Sequence, residues 1–234
     1  MAKGQTIRER RSGCPPSAHV LVAMWNEHLV ARMLQLVWAS YDQLLDEFRA
    51  DFDWSEDYDD IERSINMDLE RIIRSRMNSF MPIGVQHESW EHETRSRTKR
   101  NARPRQYDIA FYWHDDPRLM WPLEGKVLKS DSDTEFNRSD YVETLNTRYL
   151  KCDYAPFSNG GAMLAYLKTG VGDAVLEHIA GRLGRCLAPY AGCVGRCHKT
   201  SVHQRKVPTG KDYPPEFHCH HLIMRLDSSS ETTS

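Results

Sequence analysis

Two acidic residues and one lysine stand where the sequence otherwise predicts apolar strands. Asp108 lies in the middle of residues 106–113, and Glu124 and Lys126 stand two positions apart within residues 119–128. Residues two apart in a strand project from one face, about 7 Å from each other. Buried charges of this kind are costly unless they pair or bind a metal ion. Two carboxylates and a lysine can hold a divalent cation and orient an activated water, which is the chemistry that phosphodiester hydrolysis requires.

A purely structural role explains the same three groups. In that interpretation Lys126 forms a buried salt bridge with Asp108 or Glu124 and has no part in catalysis. The spacing alone decides little, because an acid two positions before a lysine is expected about 1.3 times by chance in a chain of this composition. The catalytic interpretation gains weight from position: both strands belong to one predicted hairpin, and an acid-bearing helix precedes them.

Hydrophobic periodicity predicts the elements that position these residues. The predicted helices cover residues 20–48, the segment that runs from the acidic stretch at 51–62 through residue 78, and residues 133–151 and 172–187. The predicted strands cover residues 83–93, 106–113, 119–128, 160–167 and 218–226, with turn chemistry at 114–118. Pro122 lies inside the third of these strands and cannot donate a ladder hydrogen bond, so we expect an edge strand or a bulge just before Glu124.

The arrangement of these elements resembles a known nuclease superfamily. A helix and a strand are followed by Asp108, fifteen intervening residues and Glu124-Gly125-Lys126 across a hairpin, and then by another helix. This pattern resembles the PD-(D/E)XK superfamily, the fold of many restriction endonucleases, over about residues 57–226. The resemblance implies an α/β fold with a three-layer α/β/α core, a mixed central sheet and, here, an N-terminal helical extension.

The resemblance also implies roles for the motif residues. Asp108 and Glu124 would ligate a magnesium or manganese ion, and the carbonyl oxygen of Gly125 would be an additional ligand. Lys126 would position the attacking water and stabilise the pentavalent phosphate. One departure is that Gln106-Tyr107 replaces the Pro that names the motif, a position that the superfamily varies freely.

Members of the superfamily often add an acid from the helix that precedes the first strand. Glu62 is our choice for this catalytic acid because it lies on the inner stripe of the predicted helix, and Asp60 and Glu70 are its rivals. The resemblance therefore implies a site of three carboxylates and one lysine.

Charge is distributed unevenly along the chain. The 31 Lys and Arg against 33 Asp and Glu give a net charge of −2, which alone argues against a nucleic-acid partner. Seven acids, however, fall within residues 51–62, and six bases within residues 95–105. The bases directly precede the strand of Asp108 and predict a phosphate-binding loop that contains Arg95, Arg97, Lys99, Arg100, Arg103 and Arg105. A solvated loop neutralised by the acids explains the same composition equally well.

A second group of metal-ligating residue types lies later in the sequence. It comprises Cys186, Cys193, Cys197, His198, His203 and residues 218–221. Cysteine and histidine side chains can form a tetrahedral zinc site. The spacings are irregular, however, and alternate side chains within 218–221 point to opposite faces of a strand. Zinc is therefore a weaker prediction than magnesium or manganese.

The same residues allow another interpretation. Ser201, His203 and Arg205 would form a polar loop beside the site, and His220 would lie at the mouth of a core strand. In that arrangement His203 or His220 would contact a scissile phosphate.

Length and composition set the outer limits. A chain of 234 residues with 40% hydrophobic and 27% charged residues is typical of a globular protein, which excludes collagen-like, fully disordered and disulfide-scaffold classes. The six cysteines are too sparse for a disulfide framework, and we find neither a signal-peptide pattern nor an apolar run long enough for a membrane span, so we expect a cytoplasmic protein with no membrane partner. The expected organisation is a flexible lead at 1–18, a helical extension at 19–56, the nuclease-like core at 57–227 and a disordered tail at 228–234.

Taken together, the sequence predicts a metal-dependent nuclease, with DNA favoured over RNA by the resemblance and restriction, repair or phage defence as its setting. The leading alternative is a non-catalytic interaction protein that keeps the nuclease-like fold and carries a structural zinc. The apolar stripe on residues 20–50 is compatible with a homodimer and equally with packing on its own chain.

Overall fold

The computed structural model describes residues 18–48, 57–91, 105–130 and 136–226, and the side chains of residues 18–20 and 136–139 lie outside that description. The described helices are α1 (Ala18–Met24), α2 (Glu27–Phe48), α3 (Tyr58–Arg76), α4 (Phe136–Thr144) and α5 (Gly172–Leu183). The described strands are β1 (Ile83–Trp90), β2 (Gln106–Trp113), β3 (Met120–Ser130), β4 (Gly160–Thr169), β5 (Ala188–Pro189), β6 (His198–Gln204) and β7 (Glu216–Arg225). A π-helical turn, Leu145–Tyr149, continues α4, and a short 3₁₀ turn, Ala191–Cys193, precedes β6.

All seven strands form one sheet in the order β1-β2-β3-β4-β7-β6-β5. The pairs β3·β4 and β4·β7 are parallel, and the other four pairs are antiparallel. The predicted hairpin of β2 and β3 and the predicted mixed sheet are both confirmed. The parallel centre is buried on both faces, as is usual for parallel strands, and β4 is accordingly apolar over most of its length.

Helices cover the sheet on both faces. On one face α2 and α3 bury Leu34 and Ile65 against sheet residues such as Ile109. On the other face Tyr141 and Ile179, from α4 and α5, belong to a second apolar cluster. The three-layer α/β/α architecture predicted from the sequence is therefore confirmed. No helix in the described parts of the chain has the length and apolar content needed to cross a membrane.

The N-terminal helical part differs from the single helix predicted over residues 20–48. The chain breaks at Trp25 and Asn26, where the Asn26 side chain accepts a hydrogen bond from the N–H of Leu29 at 3.0 Å and so begins α2. The apolar stripe of α2 lies against the rest of its own chain: Trp38 donates a hydrogen bond to His198, and the hydroxyl of Tyr41 donates to the carbonyl of Arg225. A homodimer would therefore need another surface.

Several element bounds also differ from the prediction. The strand predicted at 83–93 ends at Trp90, and the helix predicted at 172–187 ends at Leu183 because Gly184 adopts a left-handed conformation with φ of 61°. The predicted polar loop at Ser201 and His203 is wrong, since both residues lie in β6. The buried polar residues of this strand bond to other buried side chains: Ser201 contacts His203, and His198 contacts His220.

Pro122 does not mark an edge strand or a bulge. β3 is paired with β2 on one side and with β4 on the other, and the register with β2 runs without interruption through Pro122 opposite Ala110. Pairing with β4 begins one residue later, at Leu123 opposite Ala162. The proline thus precedes the β4 ladder, where its missing N–H costs no ladder hydrogen bond on that side.

Candidate active site

The strands β2 and β3 diverge at the two predicted carboxylates. Their pairing runs from Tyr112 opposite Met120 to Ile109 opposite Leu123. One residue further on, Oδ2 of Asp108 accepts a hydrogen bond from the backbone N–H of Gly125 at 2.8 Å. A side chain thus takes the place of a ladder contact, and the divergence opens a cleft between the strands.

The helix α3 brings the third acid to this cleft. Oε1 of Glu62 lies 2.9 Å from Nζ of Lys126, and both side chains are largely buried. Neither rival acid reaches the cleft: Asp60 is exposed, and Glu70 is paired with Arg74. The structure therefore brings Asp108, Glu62, Glu124 and Lys126 together at one cleft, and their roles stay a prediction.

Glu124 is the most buried acid of the cleft, with its side chain 2% exposed. Two cations approach its Oε1 atom: Nζ of Lys126 at 3.8 Å and Nη1 of Arg148 at 3.2 Å. The other oxygen, Oε2, is buried and has no hydrogen-bond partner. A buried carboxylate oxygen without a partner is costly, so this atom marks a place where a cation or a donor would be stabilised.

Burial raises the pKa of all three acids, and like charge adds to this effect for Glu124 and Glu62. Burial, with Asp108 next in effect, raises the pKa of Glu124 well above its usual range. Burial also raises the pKa of Asp108, and burial together with Asp108 raises the pKa of Glu62 to about 7, against the pull of Lys126. Carboxylates perturbed in this way are typical of functional sites.

In Lys126, unlike in the acids, the raised pKa stabilises the charged form. Burial by itself would lower its pKa, but Glu124, Asp108 and Glu62 outweigh burial and raise the pKa above the ordinary value. Lys126 therefore keeps its charge at neutral pH. Two cations, Lys126 and Arg148, face three acids, so the cluster carries a net charge of −1 when all three acids are ionised.

The cleft has a volume of about 460 Å³. Its lining residues are Asp59, Glu62, Arg63, Asn66, His87, Glu88, Arg105, Gln106, Tyr107, Asp108, Glu124, Lys126, Arg148 and Tyr154. Sequence reasoning missed Asn66, His87, Arg148 and Tyr154 as members of the site. Asn66 could have been found, because it stands four residues after Glu62 and thus on the same helix face.

The donor set fits a magnesium or manganese ion. Magnesium binds proteins through one or two carboxylates and completes its shell with waters and substrate phosphates. Asp108 and Glu124 supply two carboxylates on diverging strands, and Oε2 of Glu124 lacks a partner. Among the residues that the structure describes, no three or more His, Cys, Asp or Glu side chains form a group arranged to hold a metal ion.

We compared the chain with known protein families, curated proteins and solved structures. None of the three comparisons found a match. The resemblance to PD-(D/E)XK nucleases stays a prediction from the motif, and the function of the cleft has to be argued from its own geometry and charge.

The cysteine and histidine residues of the predicted zinc site engage other partners. His198 contacts His220, with 3.1 Å between their ring nitrogens. On β6 the hydroxyl of Ser201 lies 2.7 Å from ring nitrogens of both His203 and His221. These contacts divide the histidines into two separate networks, and zinc stays a prediction.

His203, Arg205 and His220 do not line the cleft. His203 and His220 are buried in the two histidine networks, so the structure does not place either of them where it would contact a scissile phosphate. Arg205 is buried too, and its guanidinium donates hydrogen bonds to backbone carbonyls, among them those of Tyr149 and Ser158. These hydrogen bonds hold the three side chains at places outside the cleft.

Only one member of the predicted basic loop falls within the described residues. Arg105 is exposed, lines the cleft and lies 3.9 Å from a carboxylate oxygen of Asp153. The other five, Arg95, Arg97, Lys99, Arg100 and Arg103, lie outside the described residues.

Proposed function

We propose that the protein is a metal-dependent nuclease of the PD-(D/E)XK type that hydrolyses phosphodiester bonds, with DNA as its favoured substrate. It would act in the cytoplasm, in restriction, repair or phage defence. The observation that carries this proposal is the pair of carboxylates on diverging strands, Asp108 and Glu124, of which Glu124 has one oxygen near Lys126 and the other buried without a partner.

Asp108 and Glu124 would hold the cation, and the carbonyl oxygen of Gly125 would be a further ligand. A bound magnesium or manganese ion supplies a water of lowered pKa and neutralises charge on the phosphate. Lys126 keeps its proton, because three acids raise its pKa, so it acts as a fixed cation that stabilises negative charge developing on the phosphate. Glu62, with a pKa of about 7, is suited to take up a proton at neutral pH.

Nucleic acid is the substrate class that the surroundings of the cleft favour. Apart from Arg148, two arginines, Arg63 and Arg105, line it together with Lys126. Arginine forks match phosphate oxygens in pairs, which makes them common in nucleic-acid recognition. Arg105 is the last residue of the arginine-rich stretch at 95–105, so five further basic residues shortly precede it in the sequence.

Cleavage assays test the proposal directly. The purified full chain is incubated with magnesium and, in separate reactions, with supercoiled plasmid, linear duplex, single-stranded DNA or RNA. We expect Asp108→Ala, Glu124→Ala and Lys126→Ala to lower the cleavage rate by about 100-fold or more. Lys129→Ala is the matched control, because Lys129 is an exposed residue of the same strand outside the cleft, and we expect it to cleave like the wild type.

A second measurement distinguishes a variant that has lost catalysis from one that no longer folds. Manganese should raise the melting temperature of the wild type, and Glu124→Ala should abolish that increase while leaving a cooperative melt. Cleavage that survives Asp108→Ala and Lys126→Ala undiminished would show that the site is elsewhere. No cleavage of any substrate by the wild type would refute the nuclease assignment.

A further inference from the structure

Arg148 and Tyr154 reach Glu124 from a part of the chain that the sequence motif does not include. Nη1 of Arg148 donates a hydrogen bond to Oε1 of Glu124 at 3.2 Å and a second one to the hydroxyl of Tyr154. That hydroxyl in turn donates to the backbone carbonyl of Gln106. Gln106 belongs to β2, the strand of Asp108, so a chain of hydrogen bonds links the two metal-ligand strands.

The contacts on Glu124 are asymmetric. Arg148 and Lys126 both approach Oε1, whereas Oε2 is buried without a hydrogen-bond partner. The hydrogen bond from Arg148 to Oε1 restricts the rotation of this carboxylate. The free oxygen is then presented in one direction, as a metal ligand requires.

The backbone that carries Arg148 is unusual. The residue lies in the π-helical turn Leu145–Tyr149, which closes with a hydrogen bond from the N–H of Leu150 to the carbonyl of Leu145 at 3.0 Å. Such turns occur frequently at functional sites. Just beyond it, Cys152 and Ala155 have positive φ angles of 59° and 40°, a backbone strain that surrounding contacts must offset.

Buried contacts hold this strained segment in place. Arg205 donates hydrogen bonds to the backbone carbonyls of Tyr149, Tyr154, Ala155 and Ser158, at 2.7 to 3.1 Å. The hydroxyl of Tyr107 accepts a hydrogen bond from the N–H of Ala155 at 2.7 Å. The guanidinium of Arg205 also lies over the ring of Phe217 in β7, 4.9 Å from its centroid, so it holds this segment against the sheet.

We propose that Arg148 is a positioning residue that fixes Oε1 of Glu124 so that Oε2 faces the cation, and that Tyr154 acts through Arg148. This inference rests on the proposed function. Arg148 therefore affects turnover through the geometry of the metal ligand and not through the affinity for nucleic acid.

Steady-state kinetics of three variants test the positioning role. Because partners of metal ligands typically contribute 10- to 100-fold, we expect Arg148→Gln to lower kcat by about that factor and to leave the KM for DNA within about twofold. Arg148→Lys keeps the charge and should recover part of the loss. Tyr154→Phe should lower kcat by a smaller factor, and combining it with Arg148→Gln should add nothing further, because both act through one contact.

A readout that needs no turnover uses Tb³⁺ as the probe ion. Its luminescence lifetimes in H₂O and D₂O count the waters bound to it. In Arg148→Gln, as in Glu124→Gln, we expect about one more bound water than in the wild type, because a misplaced Glu124 gives up a coordination position. Arg71→Gln is the matched control: Arg71 is an exposed residue of α3 paired with Asp68, and its substitution should leave the count unchanged.

Three results would overturn the inference. The first is a raised KM with a salt dependence shallower by about one phosphate contact, which would make Arg148 a substrate ligand. The second is full additivity of the Arg148→Gln and Tyr154→Phe losses. The third is an unchanged Tb³⁺ water count in Arg148→Gln. A wild type that cleaves nothing, with the water count still dependent on Arg148, would refute the nuclease proposal alone and support the positioning role.

Discussion

Glu62 and Lys126 form the ion pair at the wall of the cleft. Their surroundings stabilise the charged form of Lys126 but the neutral form of Glu62. The pKa of Lys126 is raised, so the lysine stays charged. The pKa of Glu62 is raised to about 7, first by burial and then by Asp108. The folded protein therefore binds a proton at Glu62 more tightly than the unfolded chain does. Ionisation of Glu62 at higher pH then weakens the fold.

Substitution of Glu62 makes this loss of folding stability measurable. Between pH 5 and pH 8 the wild type loses stability as Glu62 ionises, whereas Glu62→Gln does not ionise. We expect the free energy of unfolding of Glu62→Gln, relative to the wild type, to rise by about 2–3 kcal/mol over that range. Urea unfolding at several pH values measures the difference, and a difference independent of pH would contradict the assignment.

Sequence periodicity predicted the acids and the lysine of the site but not Arg148. Asp108, Glu124 and Lys126 follow from the period-two geometry of two strands in one hairpin, and Glu62 from the inner stripe of a regular helix. Regular helical spacing places Arg148 on the same face as Tyr141 and Leu145. That spacing does not show which strand the face packs on, so the contact of Arg148 with Glu124 was not predicted.

At the scale of elements, α3 and β3 make close contact at Gly125. A β-carbon at this position would lie 2.7 Å from Oδ1 and 2.9 Å from Nδ2 of Asn66, and 2.9 Å from Cε2 of Tyr166. Asn66 is itself fixed, because the hydroxyl of Tyr166 donates a hydrogen bond to Oδ1 at 2.6 Å. The absence of a side chain at Gly125 therefore sets the distance between the helix of Glu62 and the strand of Lys126.

Gly125→Ala should force α3 away from β3. We expect a loss of about 1–3 kcal/mol in the free energy of unfolding, because the added methyl group overpacks a rigid contact. Cleavage should fall as well, since Glu62 moves with the helix. Gly181→Ala is the matched control: no atom lies within 4 Å of its added β-carbon, and in the helix α5 the alanine should stabilise by about 0.5–1 kcal/mol. Equal stability of the Gly125→Ala variant and the wild type would refute the contact.

The elements themselves were predictable where apolar residues recur. β2 has the predicted bounds, and α3 begins at an N-cap, Asp57, whose side chain accepts from the N–H of Asp59 at 2.9 Å. β6 was missed because its buried positions include His198, Ser201 and His203 rather than apolar residues. Only the tertiary contacts of these side chains make the segment a strand.

At the scale of the whole molecule, buried histidines lie on both faces of the sheet. Burial, with neighbouring charges second, lowers the pKa of His198 and His221 to about 3 and that of His203 and His220 to about 4. The folded protein keeps all four neutral, whereas the unfolded chain protonates them below about pH 6.5. Their contribution to stability is therefore complete above pH 6.5 and is lost as the pH falls toward 4. Glu62 has the opposite effect, because its contribution to stability falls as the pH rises.

Acid unfolding tests the contribution of the buried histidines to stability. Each histidine that takes up a proton on unfolding adds a slope of about 1.4 kcal/mol per pH unit to the free energy of unfolding. We expect His203→Asn to reduce the slope between about pH 4.5 and 6 by that amount, whatever its effect on stability at neutral pH. His178→Asn, at an exposed position of α5, should leave the slope unchanged. An unaltered slope in His203→Asn would mean that His203 titrates in the folded protein.

The sheet order has a consequence for synthesis of the chain. β4, at the centre of the sheet, ends at Thr169, but its parallel neighbour β7 begins only at Glu216. At roughly 5–20 residues per second, the ribosome takes about 2–9 s to make the residues between them. During that interval the nascent chain already contains Asp108 and Lys126, yet one edge of β4 has no strand to pair with and is open to wrong partners. A chaperone that shields this edge should raise the yield of active protein more than one that acts after release.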